Sequence, residues 1–513
     1  NSAAIPMQLK VLPPHFGDVN VRAFGATGDG VTDDTIALQA AMDFAKEYGY
    51  TSAYAPSGVY IFSQLVFREI GATGRPEQGK FTFKGDGQLN QQEVYGVTAR
   101  RYGTVFESTI TDGTNAFVIS TGETPTRGIR LENLSMFYGG TGHAIYSDYC
   151  PYVEIENVSI GCTVAGAKAI SLRDVWHGFV KRVYAICDIG ITSTVAGIEF
   201  SAGIFAGSFK FEDCIIDNFN DCVHVLSGEQ FANLTFENCS IQKYNRYGWN
   251  INASLWNFTI RDCYTEATIA TSAIKFSGGT AKNFRVDGLF VLGGTTTAAY
   301  YSGPIIDMAG VDTYDISGVM YYRPWTALLN TGSSVGTGSI DNIAVYHDNT
   351  AALPTGPLYL FTADSNDKFA ISNYFITSTS KLELLDLSAD AHSRYDQNVT
   401  KVITLSYGEL ATASLAAATY DMWNASPRPM TAFLTTTGGA TSSVKLPNLS
   451  FMEPTDIRHV INDPASTQGI VMKTHDGTSL GVTLAVGEAA QCFADPVNSK
   501  WIIIISANVT HGP

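Results

Sequence analysis

Two acids, Asp217 and Glu266, each stand four places after a turn-forming residue, Asp213 and Asp262, in a chain that repeats a short motif every 24 to 31 residues. Cleaving a glycosidic bond generally takes two carboxyls on either side of it, close together for retention and further apart, with room for water, for inversion. On stacked strands, residues at the same distance from the turn form one column, and the second and fourth followers of the turn point outward. The fourth-follower column reads Phe137, Gly161, Ile186, Asp217, Gln242, Glu266, Leu292. Asp217 and Glu266 are then two rungs, about 9.6 Å, apart at the backbone, the long end of the inverting range. Tyr264, Tyr244, Arg246 and Gln242 stand nearby as aromatic and polar groups of the kind that line a sugar groove. A second outward column, Tyr146, Ser171, Glu199, His224, Asn250, Lys275, brings Glu199 next to His224, as a further carboxylate with a binding partner or as a plain surface pair.

The repeat itself positions these residues. Its turn positions are Asn133, Asn157, Arg182, Asp213, Asn238, Asp262, Gly288, Gly318, Asn342 and Asn373, each flanked by alternating apolar residues as in IRLENL, FKFEDC and LTFENC. A second strand, centred on Ile145, Ile170, Ile198, Val223, Trp249, Ile274 and Ile305, keeps step with the first. Two strand columns advancing together, with no helix-length segment between them, predict a parallel β-solenoid. Cys214, Cys239 and Cys263 fall one place after the turn, where side chains point inward, and are expected to stack as unpaired, core-filling thiols. No CxxC or paired-His motif accompanies them, so neither a metal nor another cofactor is expected. The acids that precede the turn, Glu132, Glu156, Glu212 and Glu237, read as solvent-exposed wall, and Trp176 and His177 as a connecting loop beside the groove.

Composition agrees with strands and turns. Of 513 residues only 16% are charged, with 48 Gly, 25 Tyr and 28 Phe. A balance of 32 basic to 48 acidic residues, formally -16, disfavours nucleic acid or an anionic membrane and favours a neutral or sugar partner. No apolar run reaches eighteen residues, so no membrane insertion is expected. The chain opens Asn-Ser-Ala-Ala with neither an initiator Met nor a signal pattern, which predicts that an upstream segment has been removed.

Before the repeats stands VNVRAFGATGDGVTDDTIALQAAM, residues 19–42, followed by APSGVY, residues 55–60. Gly25, Gly28 and Gly30 make turns. Thr32 or Asp33 is expected to cap a helix with acidic residues in its first turn and an apolar face over 37–45, plugging the open end of the solenoid. Asp29, Asp33 and Asp34 then serve capping and turns rather than catalysis. This segment resembles the opening of the pectate-lyase-like β-helix superfamily, especially its phage tailspike and capsule-depolymerase branch, whose pattern reads DFGAxGDGxTDDTxAIQxA followed by PxGxY. It departs at Arg22-Ala23, where an acid usually precedes Phe-Gly. The resemblance covers residues 17–62 by motif and extends to about 385 by repeat spacing. It implies a right-handed parallel β-helix, a homotrimer with the helices side by side on the virion tail, and depolymerase activity.

The expected organisation is therefore all-β: an N-terminal cap over 1–62, a parallel β-helix over 63–389, and a C-terminal β-sandwich-like domain over 390–513 for trimerisation or carbohydrate binding, built from segments such as KVITLSY, IRHVIND and GIVMKTH. The leading functional expectation is an endoglycosidase hydrolysing bacterial capsular or O-antigen polysaccharide during host attachment, with Glu266, Asp217 and Glu199 as candidate catalytic residues and Tyr264, Tyr244, Arg246, Gln242 and His224 as candidate binding residues. Two alternatives remain: a lyase using Tyr264, His224 or Lys275 as base on a uronate polymer, and a non-catalytic adhesin.

Overall fold

A computed structural model describes residues 17–67, 80–90, 93–94, 103–119, 128–187, 196–201, 206–226, 230–268, 270–278, 280–294, 301–308, 310–322, 328–330 and 337–346, and separate strands and turns from 358 to 506. Two compact units are present, Asn1–Pro354 with Asn366–Ile371, and Thr355–Ser365 with Ser372–Pro513. The expected 389/390 boundary falls outside the described residues.

The first unit is a parallel β-solenoid, as its spacing predicts. Each coil carries one run before a turn residue, a second run after it, and a third strand in a separate sheet. Strands Ile129–Tyr138, Tyr152–Cys162 and His177–Cys187 pair in parallel, and the ladder continues through Ser254–Ala267, Ala281–Leu292, Val311–Tyr322 and Thr337–Tyr346. From Asn133 to Asn342 every expected turn residue has φ between 48° and 79°. Left-handed backbone crowds Cβ against the carbonyl, a cost smallest for Gly and reduced for Asn and Asp, whose side chains bond locally. Those side chains also tie coil to coil: Asn157 Nδ2 donates to Asn133 Oδ1 (2.9 Å), and Asn238 Nδ2 to Asp213 Oδ1 (2.6 Å). Asn373 lies outside the residues whose side chains are described.

The other sheet stacks His143–Asp148, Lys168–Arg173, Ala196–Ser201, Asp221–Val225, Tyr247–Ile251 and Ser272–Phe276, also in parallel. Its inward column runs Ile145, Ile170, Ile198, Val223, Trp249, Ile274 and then Ile306, not Ile305. The one-place shift is a bulge, because the Ile305 carbonyl accepts from both Ala273 and Ile274. Cys214, Cys239 and Cys263 are buried free thiols, each directed at the carbonyl two residues earlier (3.3, 3.3 and 3.2 Å).

The helix Thr35–Glu47 closes one end, burying Leu38, Ala41, Met42 and Ala45. The Gln39 amide completes the closure. Its Nε2 donates to the Val66 carbonyl and its Oε1 accepts from the Val66 N–H, both at 2.9 Å, satisfying the terminal strand Leu65–Phe67. The capping differs from expectation. Asp34 holds the N-cap position, yet its buried carboxylate accepts from Thr27 N (2.7 Å) and Gly28 N (3.1 Å), while Asp33 accepts from Thr35 N (2.9 Å). No acid lies in the first turn. Asp29 accepts from Val31 N and Thr32 N, which holds its carboxyl down at about 2.

In the second unit, Ala411–Leu415, Thr431–Thr436 and Ile457–Asn462 pair in parallel in one sheet. Thr419–Asp421, Ser442–Lys445 and Ile470–Lys473 do so in another. Antiparallel strands finish each sheet, and Val444, Val460, Met472, Leu484 and Cys492 from both sheets share one core. Two packed sheets are present as expected. Their first six strands, however, alternate between sheets in parallel, coil-like fashion rather than as an antiparallel sandwich. KVITLSY lies outside the described residues.

Candidate active site

Both outward columns of the long sheet have the expected register: Phe137, Gly161, Ile186, Asp217, Gln242, Glu266 and Leu292 align, and so do Ser135, Ser159, Tyr184, Ile215, Ser240, Tyr264 and Phe290. Register alone does not decide which of them meet solvent. The segment 86–90, with Glu93 and Val94, crosses the outer face of the early coils. Leu89 N donates to Ser135 Oγ (2.7 Å), Ser159 Oγ donates to the Leu89 carbonyl (2.6 Å), and Leu89 and Val94 pack on Phe137 and Ile186. Gly161 makes room for this cover, since a Cβ there would lie 2.8 Å from the Phe137 ring and 3.2 Å from Val94. The fourth-follower column emerges at Gln242, beyond the buried Ile186 and Asp217.

There Glu266 and Tyr264 form the most developed group. Tyr264 OH donates to Glu266 Oε2 (2.6 Å), and the Tyr264 ring stacks on Phe290 (5.6 Å, 13° between planes). Both side chains of the pair are half-buried, which leaves a carboxylate and an aromatic face on the outer wall. Gln242, one rung back, donates to Ser240 Oγ (2.5 Å).

Asp217 and Tyr244 depart from the expectation that they face outward. Asp217 is 0% exposed, and Lys243 Nζ stands 3.5 Å from its Oδ2. Tyr244 is also 0% exposed, with its hydroxyl sharing hydrogen bonds with Thr265 Oγ1 (2.8 Å) and Tyr301 OH (2.7 Å). For Tyr244 the reason is Lys243. It adopts φ 49° and shifts the pairing register between Gln242 and Tyr244, so simple alternation fails and the phenol turns into the core. Burial pushes the Tyr244 phenol well above its usual range. Lys243 itself carried no sequence signal, because lysine is not a residue that favours left-handed backbone.

The second sheet holds a separate polar lane. Glu199 and His224 are rung neighbours as expected. Glu199, however, is engaged by His143 Nε2 (3.3 Å) and Lys168 Nζ (2.9 Å). Burial alone would raise its carboxyl. The two hydrogen bonds outweigh that and hold it down at about 2. Arg246 forks onto the buried Asp221, with Nε 2.6 Å from Oδ1 and Nη2 on Oδ2, and Asn250 Nδ2 donates to the same oxygen (2.9 Å). His224 Nδ1 lies 3.8 Å from Asp221, and burial pushes this imidazole below 6.5. Arg246 therefore belongs to this lane, not beside Glu266. His143, Lys168 and Asp221 escaped the sequence reading although they stand in one register column, three places before Tyr146, Ser171 and His224.

The supposed acidic wall is an ion-pair ladder. In register, its column reads Glu132, Glu156, Lys181, Glu212, Glu237, Arg261, Asp287. Arg130 and Arg182 meet Glu156, and Lys210 bridges Glu212 and Glu237 at 2.8 Å each. Cations interleaved between the acids remove the repulsion that the acids alone implied.

The family model described as "Rhamnogalacturonase A/epimerase, pectate lyase-like" matches residues 18–268. Mannuronan C5-epimerase AlgE6 of Azotobacter vinelandii is 42% identical over 67 residues, 13% of this chain and 7% of that protein. Depolymerase 1, capsule K30/K69-specific, of Klebsiella phage K5-2 is 40% identical over 93 residues, 17% of this chain and 12% of that protein. The chain thus spans about a tenth of the length of these relatives. Among solved structures, Geobacillus virus E2 ORF18 aligns with a TM-score of 0.45 at 16% identity, over 70% of this chain and 61% of that one. Over residues 18–268 the solenoid of this chain, with its left-handed turn column and parallel rungs, is a parallel β-helix that matches the pectate-lyase-like family.

Proposed function

We propose that the protein is a polysaccharide depolymerase working from the outer face of its β-helix, with Glu266 as the essential carboxylate. The observation that carries this reading is the Tyr264–Glu266 pair, in which a half-buried carboxylate is oriented by a phenol whose ring is stacked flat on the wall. Sugars offer apolar ring faces and hydroxyl edges, and this pair addresses both. In hydrolysis Glu266 removes the proton from the attacking water, because a carboxylate that accepts one hydrogen bond from Tyr264 retains sites for others. The second carboxyl of the proposed pair is Asp217, two rungs along the same column, as proton donor to the leaving oxygen. Bacterial capsular or O-antigen polysaccharide is the proposed substrate and a homotrimeric phage tailspike the proposed setting. Both are supported by the N-terminal motif and the local similarity to a capsule-specific phage depolymerase.

The similarity to a mannuronan C5-epimerase favours one second reading. Removing the proton at C5 of a uronate begins both epimerisation and β-elimination. In this reading Tyr264 acts as base, and Lys243 meets the uronate carboxylate. Incubation with capsules from a panel of strains, followed by mass spectrometry, separates the readings. Fragments that have gained water, with a rate about 10²–10⁴-fold lower for Glu266→Gln, are expected. Unsaturated, ultraviolet-absorbing ends would establish elimination instead, and the absence of fragments from every capsule would leave only binding.

A further inference from the structure

Two tryptophans outside the Glu266 face are strongly exposed, Trp176 at 52% and Trp256 at 57%. They are not scattered. Trp176 immediately precedes His177 and Trp256 immediately precedes Asn257, and His177, Ser208, Asn233 and Asn257 are in register. The two indoles therefore belong to one column, three rungs apart, a span of about 14 Å at the usual strand spacing. The positions between them are Gly207 and Ala232, which raise no bulk. At Gly207 a Cβ would fall 1.6 Å from the Trp176 carbonyl, so only glycine fits there.

Beside this column runs a rail of polar side chains. Asn233 Nδ2 donates to Ser208 Oγ (2.8 Å), Asn257 Nδ2 to Asn233 Oδ1 (2.6 Å), Asn283 Nδ2 to Asn257 Oδ1 (2.9 Å), and Thr313 Oγ1 to Asn283 Oδ1 (2.7 Å). Each amide carries two donor hydrogens and two acceptor sites, so a rail that uses one of each still offers others outward. Tyr152 extends the aromatic surface by one rung, its ring 6.3 Å from that of His177. The left-handed turn at Asp262 separates Trp256 from Glu266 within the single strand Ser254–Ala267, so the indoles and the carboxylate stand on different faces of the solenoid.

We propose that the Trp176–Trp256 column with its amide rail is a second, non-catalytic carbohydrate-binding strip, which holds a polysaccharide chain parallel to the solenoid axis away from the cutting face. Indoles stack on sugar ring faces, amides pair with hydroxyls, and a flat floor of Gly207 and Ala232 lets an extended chain lie across both. A protein partner fits less well. Half of two aromatic side chains offers on the order of 200 Å² of apolar surface, well short of the roughly 800 Å² per side that a stable interface uses. Between Trp176 and Trp256 the column holds no charged residue, although the chain carries a formal charge of -16; the next rung, Lys282, is paired with Asp312 (2.6 Å), and Lys80 Nζ lies 4.7 Å from the centre of the Tyr152 ring.

The strip rests on the reading of the protein as polysaccharide-acting, and its test is separable from that of the cutting site. Wild type, Trp176→Ala, Trp256→Ala and the double variant are applied to immobilised capsular polysaccharides from the strain panel and to alginate, each in a Glu266→Gln background that does not cut. Light scattering reports their oligomeric state, and circular dichroism their fold. The expected result is binding to at least one polymer, weakened several-fold by each single substitution and at least tenfold by the double, with fold and oligomeric state unchanged. Binding by the double variant within twofold of its parent overturns the strip even if the wild-type protein cuts capsule. A changed oligomeric state overturns it in favour of a subunit contact, and no binding to any polymer overturns it outright. Indole-dependent binding without any cleavage by the wild type would sustain the strip and refute the depolymerase.

Discussion

Replacing Glu199 by Gln isolates the electrostatics of the second sheet. Glu199 is 13% exposed at its side chain and bonded by Lys168 and His143, and its carboxyl is held at about 2 against an ordinary 4.5. That difference, at about 1.4 kcal/mol per pH unit, corresponds to about 3 kcal/mol of folding stability at neutral pH. The folded value lies below the unfolded one, so on acidification the unfolded chain takes up the proton first. The contribution is complete above pH 4.5 and fades as pH falls toward 2, with about 1.4 kcal/mol left at pH 3. Urea unfolding of wild type and Glu199→Gln, followed by circular dichroism at pH 7 and at pH 3, gives four curves. Any loss from altered packing is common to both pH values and cancels. The destabilisation is therefore expected to be about 2 kcal/mol larger at pH 7 than at pH 3. Equal destabilisation at both pH values, or less than about 0.5 kcal/mol at pH 7, would show that Lys168 and His143 do not hold the carboxylate as the geometry indicates.

Two further substitutions probe what positions the candidate site. Gly161→Val must displace the Phe137 ring or Val94. It is expected to cost about 1–3 kcal/mol and to speed protease cleavage between Leu89 and Val94, whereas unchanged cleavage would mean the cover does not rest on Gly161. Asp262, at φ 48°, is expected to tolerate Gly within about 0.5 kcal/mol but to lose about 1–2 kcal/mol as Val, read from thermal melts; equal effects would remove backbone strain as the explanation.

The path of the backbone was largely legible in the sequence, because each coil must place a residue tolerant of left-handed geometry at one corner, and Asn, Asp and Gly announce such a corner locally. Arg182 is the exception. It was located only by spacing, and it is held there by its guanidinium reaching Asn157 (2.5 Å) and Glu156. Register followed from the same column, so Asp217, Gln242 and Glu266 align as expected. Exposure did not follow, because it is decided by chain far away in sequence. Leu89 and Val94 seal Phe137 and Ile186, and a register shift at Lys243 sends Tyr244 inward. Charge pairing was misread for another reason. The acids before the turn were counted without Lys181 and Arg261, which share their column and complete the ladder.

The unequal coil lengths have a consequence for how such a protein can change. Turn residues recur at 24 to 31 positions, yet the runs flanking the turn column stay aligned from Ile129–Tyr138 to Thr337–Tyr346, apart from the shift at Lys243. The surplus residues must be taken up at the corners, which act as expansion joints while the walls keep their pitch. Lengthening one corner alters the surface beside two or three rungs and leaves the others untouched, because the backbone of each coil pairs only with its immediate neighbours. A wall of this kind is modular along its axis: its outer surface can be rewritten one coil at a time without renegotiating the core.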